Sequence, residues 1–165
     1  MDLTSPIVVG VSRRTGSPDA VRWAAAEAQL RDTRVIAVTA WRGPRPPAMS
    51  GGRPPALSPA PIEEAFALEQ QRIFDRLSEL LGGDPASMRV EFALRRGSAS
   101  AVLLAAAVGA QLLVLDSPHA GNFSMLAKSL IAPQVVFKAP CPVVLMPPGA
   151  DTADDVLPTG GLTSV

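Results

Sequence analysis

Apolar positions along the chain follow two patterns that take turns. The runs "PIVVGVS" (6–12), "RVIAVTAW" (34–41), "QLLVLDS" (111–117) and "CPVVLMPP" (141–148) are short and apolar, the first of them β-branched, which predicts buried strands. Between them, apolar residues recur at helical spacing. In "SPDAVRWAAAEAQLRD" (17–32) Ser17 is placed as N-cap, Pro18 in the first helical position and Asp19 at the positive end of the dipole. Val21, Ala24, Ala25, Ala28 and Leu30 are assigned to its buried side. "IEEAFALEQQRIFDRLSELLGG" (62–83) repeats Phe66, Ile73, Leu77 and Leu80 or Leu81, carries acids in its first turn and stops at Gly82.

"MRVEFAL" (88–94) alternates instead. Val90, Phe92 and Leu94 are separated by polar or small residues, which predicts a strand with one exposed face near a sheet edge. "SASAVLLAAAVGA" (98–110) predicts a small-residue helix, and a further helix is expected over 129–138 with Pro133 in its first turn. Residues 42–61 hold seven prolines, which predicts a surface insertion rather than helix or central strand. The polar stretch 149–165 is expected to be disordered. One domain over residues 1–148 accounts for the rest.

Strands alternating with helices give an α/β fold: a parallel sheet with helices on both faces, of Rossmann-like type. Such sheets bind ligands at the C-terminal ends of their strands, where strand order reverses. The stretches "GVSRRTGS" (10–17), "RRGSAS" (95–100) and "LLVLDSPHAGNFSMLAKSL" (112–130) are therefore the candidate site.

Composition narrows the chemistry. A zero net charge with no basic block argues against nucleic acid as partner. No apolar run approaches the length of a membrane span. The single cysteine, Cys141, excludes an internal disulfide and fits a reducing, cytoplasmic setting. His119 is the only histidine, and no cluster completes a metal site around it. Asp116, Ser117, His119 and Ser129 supply triad ingredients, but near-consecutive placement does not give triad geometry.

The segments "IVVGVSRRTGSPDAVRWAAAEAQLRDTRVIAVTAW", "RRGSASAVLLAAAVGAQLLVL" and "KAPCPVVLM" resemble the universal stress protein family over residues 6–147. The resemblance implies a five-stranded sheet in the order 3-2-1-4-5, frequent homodimers, and roles in stress resistance rather than turnover. One branch of the family binds ATP and another lacks its glycine motif. The half-exposed strand 88–94 falls at an edge of that order. The last strand falls at the other edge, where an apolar run invites pairing. A homodimer is expected, with Val143, Val144, Leu145 and Met146 near the interface.

ATP-binding members have a glycine, two residues, a second glycine, nine residues, then glycine with serine or threonine. Glycine is needed because phosphate oxygens approach backbone N–H groups too closely for a side chain. Aligned without gaps back from "APCPVV", those positions are Asp116, His119 and the Ser129–Leu130 pair. The family's nucleoside-contacting aspartate after the first strand is Ser12. Arg13 or Arg14 is placed within reach of Asp116, either filling the old pocket or serving an acidic ligand. Gly97 opens a helix whose N-terminus is a possible anion site or an ordinary capped turn.

Two readings follow. The first is a non-enzymatic stress-response module, without cofactor and with nucleotide binding weakened or lost, acting through dimerisation and an unidentified protein partner. The second is a nucleotide sensor taking ATP, AMP or cyclic AMP through Gly10, Arg13, Arg14 and Gly97. Enzymes of related folds are disfavoured, since neither a serine-glycine-glycine-x-aspartate loop nor an adenylyl-transferase histidine signature is present.

Overall fold

The continuous apolar runs pair with one another as expected for strands buried on both faces. The computed structural model describes residues 5–13, 17–43, 59–116 and 131–146. Within it, β1 (Ile7–Gly10), β2 (Val35–Trp41), β3 (Val90–Arg96), β4 (Leu112–Asp116) and β5 (Val143–Met146) form one five-stranded sheet, ordered β3-β2-β1-β4-β5. Every pairing is parallel. Among the described residues, the helices between these strands are α1 (Pro18–Leu30), α2 (Pro59–Leu81), α3 (Ala99–Ala106) and α4 (Ile131–Lys138).

Strand side chains alternate between faces, so parity sorts the core into two layers. Ile7, Val9, Val35, Ala37, Leu112 and Val114 pack under α1 and α2, with Val21, Ala24, Ala28, Ile73 and Leu77. Val8, Val38, Leu113 and Leu115 pack under α3 and α4, with Val102, Leu103 and Val135. Each fully buried aliphatic side chain contributes roughly 1.5–3 kcal/mol of transfer free energy. Gly10 belongs to this packing. A Cβ there would lie 2.7 Å from Leu115 Cδ2 and 3.0 Å from Leu103 Cδ2, so its absence lets β4 and α3 close against β1.

Several expectations are corrected. Leu30 is 83% exposed, because two helical residues beyond buried Ala28 turn it roughly 200° away. Helix α2 begins at Pro59, inside the stretch read as non-helical. Prolines are accommodated in a first turn because the N–H they lack has no intrahelical partner there. Glu63 and Glu64 consequently lie beyond the first turn. A 3₁₀ turn over Pro85–Met88, capped by Asp84 accepting from Ala86 N at 3.0 Å, was not anticipated. Gly82 does end α2, at φ +72°, with Gly83 N donating to Ser78 O at 3.0 Å. The remainder of the proline-rich stretch, 44–58, and the tail 149–165 lie outside the described residues.

Candidate functional site at the C-terminal ends of β1 and β4

The sheet order reverses at β1, between β2 and β4. Asp116 ends β4 with the parity of Leu112 and Val114, so it faces the α1 side. There its Oδ1 accepts from Ala20 N at 3.2 Å. Ala20 is the third residue of α1, and its N–H is one of the four donors that a helix start leaves unpaired. A carboxylate from a neighbouring strand thus occupies the positive end of α1.

Ser17 precedes α1 but does not cap it with its side chain. It holds φ +52°, ψ 55° and is buried, and its Oγ accepts from Ser12 N at 3.1 Å. This corrects the expected side-chain cap: the hydroxyl closes the loop between β1 and α1, and Asp116 serves the helix instead. Val11 N donates to Val38 O at 2.8 Å and Thr39 Oγ1 to Val11 O at 3.1 Å, which carry the β1–β2 connection past Gly10.

Arg13 turns towards α2, not Asp116. Its Nε donates to Glu69 Oε1 at 2.6 Å, so Arg13 is engaged by α2; Arg14, the other arginine considered for Asp116, lies outside the described residues. Arg72 donates from Nη2 and Nε to the two Glu69 oxygens, at 2.8 and 3.1 Å. The Arg13 carbonyl accepts from Arg72 Nη2 at 3.2 Å and from Arg76 Nη1 at 3.4 Å. Glu69 lies at core spacing, three residues after Phe66 and four before Ile73, and its side chain is only 12% exposed. Burial pushes its carboxyl pKa up, but hydrogen bonds and charges from Arg72 and Arg13 outweigh burial and hold it below 4.5. Glu69, Arg72 and Arg76 escaped the sequence reading. The available signal was an acid at a stripe position of an amphipathic helix.

Gly97 sits at φ +141° between β3 and α3, its N donating to Trp41 O at 3.0 Å. A Cβ would come 3.2 Å from Val102 Cγ2. Ser98 caps α3 by accepting from Ala101 N at 3.3 Å, so this turn is accounted for by backbone geometry and capping. Beside it, Arg96 lies over Trp41 and Phe66, at 5.6 and 5.0 Å from their ring centroids, and pairs with Glu63 at 2.6 Å. Trp41 itself is buried and meets Phe66 edge to face at 5.1 Å. Burial pushes the Cys141 thiol pKa up, as fits a packed rather than reactive thiol.

The sequence model of the universal stress protein family matches residues 4–147. The chain belongs to this family. No curated protein matches its sequence significantly. Among solved structures, a universal stress protein in complex with cAMP has TM-score 0.58 and 18% identity, covering 88% of this chain and 98% of its own. The protein from Archaeoglobus fulgidus in complex with dAMP has TM-score 0.52 and 24% identity, covering 87% and 98%. Universal stress protein UspA from Lactobacillus plantarum has TM-score 0.60 and 17% identity, covering 86% and 97%. At these identities the likeness is one of fold. For this universal stress protein, the structure brings Gly10, Ser12, Arg13 and Asp116 to the same end of the sheet. Arg14, His119 and Ser129 lie outside the described residues. No helix among the described residues is long and apolar enough to cross a membrane.

Proposed function

We propose that the protein is a non-enzymatic stress-response module, acting as a homodimer through protein partners, in which adenine-nucleotide binding is weakened or lost. The Asp116 carboxylate carries this reading, because it stands where a sheet of this kind receives its ligand and already holds the N–H of Ala20. Where that charge is uncompensated, a phosphate about 4 Å away would be repelled by roughly 4 kcal/mol at an effective dielectric near 20, on the order of a thousandfold in affinity. The packing role of Gly10 and the capped turn at Gly97 need no ligand to explain them.

Homodimerisation is proposed through β5. It ends the sheet opposite β3, carries no charged residue, and leaves Leu145 47% exposed. The second reading, a nucleotide sensor, is favoured by relatives of the same fold that hold cAMP and dAMP. Calorimetric titration with magnesium ATP, AMP and cyclic AMP separates the two. The first reading expects silence at protein concentrations that detect affinities of about 100 µM, roughly −5.5 kcal/mol. Clear binding by the unaltered protein would replace it with the second.

A further inference from the structure

The guanidiniums of Arg13, Arg72 and Arg76 gather at the mouth of the sheet on the α2 side, around one carboxylate and one carbonyl. Arg13 and Arg72 against the single carboxylate of Glu69 leave an excess of one charge. Glu69 holds Arg13 through Nε alone, so among the described residues both terminal NH₂ groups of Arg13 remain without a partner. Arg72 is fixed through Nε and Nη2 and keeps Nη1. Their side chains are 41% and 52% exposed, within reach of a solute. Arg72 and Arg76 are four residues apart on α2 and share one face. The cluster is therefore held in place beforehand, which lowers the ordering cost of binding.

We propose that Arg13, Arg72 and Arg76 form a binding site for a polyphosphate group, distinct from the position blocked by Asp116. Guanidinium forks match phosphate oxygens in bidentate geometry, and several forks with a surplus of charge suit an anion of more than one phosphate better than a single carboxylate. Glu69 fixes the forks and fills only part of their donor capacity. The site does not depend on how the Asp116 pocket behaves: a chain silent to magnesium ATP can still bind a free polyphosphate here.

The test is titration of the full chain with sodium tripolyphosphate at low salt. The unaltered protein should bind, and the double variant Arg72→Gln with Arg76→Gln should bind about tenfold or more weakly. The comparison variant Arg89→Gln with Arg34→Gln removes the same charge near the start of β2 and β3, and should stay within about twofold. Circular dichroism melts establish that each variant is folded. Absence of binding by the unaltered protein, or equal losses in the two double variants, would overturn the proposal. Metal-free ATP identifies the source: affinity equal to tripolyphosphate assigns the site to the phosphate chain, and tighter binding to a nucleotide carrying it.

Discussion

Glu69 shows how one residue can contradict the pattern around it and still belong there. An acid on the packed stripe of α2 is tolerated because Arg13 and Arg72 hold its charged form. Its folded pKa lies below the ordinary 4.5, so it binds protons less readily folded than unfolded. The stabilisation is present above the unfolded value and is lost as pH falls through the folded one. Denaturant melts from neutral pH down through the carboxylate range should show the advantage of the native protein over Glu69→Gln shrinking below pH 4.5. A constant difference would mean the pair does not act through ionisation. Gly10 makes the opposite kind of argument, since its role is space. Gly10→Ala should destabilise by about 1–3 kcal/mol in urea melts, because Leu115 and Leu103 must retreat from the new methyl. An unchanged midpoint would show that the leucines repack freely.

At the scale of elements, α1 is started by a residue from another strand. Asp116→Ala should cost about 1 kcal/mol through loss of the acceptor at Ala20 N, and Asp116→Asn, which keeps an oxygen, should cost less. Equal losses would assign the effect to charge rather than capping. This arrangement also marks what the sequence could disclose. Strands, their parallel pairing and the positions of most helices were legible, because period-2 and period-3.6 patterns follow from burial on one side or both. The α2 start was not, since proline excludes the interior of a helix but not its first turn. The partner of Ser17 was not either: a serine before a helix reads as its cap, and only tertiary structure puts Ser12 N beside one end and Asp116 beside the other. Arg13 lies just beyond the C-terminal end of β1, but the direction of its side chain depends on Glu69, 56 residues away.

At the scale of the whole molecule, the two sheet edges differ. The β3 edge exposes Glu91, Arg95 and Arg96, the charged positions that discourage strand pairing, whereas β5 carries none. Sedimentation velocity should find a dimer, and Leu145→Lys should give monomers. Leu145 suits this better than Val144, which packs in part against the α1 layer. A dimer in both proteins would remove β5 as the interface, and a monomer in both would remove the dimer.

The proposed block of the nucleotide position by Asp116 is the centre of the functional account, and the direct measurement is a gain of binding. Asp116→Gly combined with His119→Gly puts glycine at the two positions aligned with the family loop, and calorimetry with magnesium ATP compares it with the unaltered protein. The account predicts that the variant binds at least about tenfold more tightly, towards the thousandfold set by removing the charge. A folded variant with no gain in affinity would contradict it.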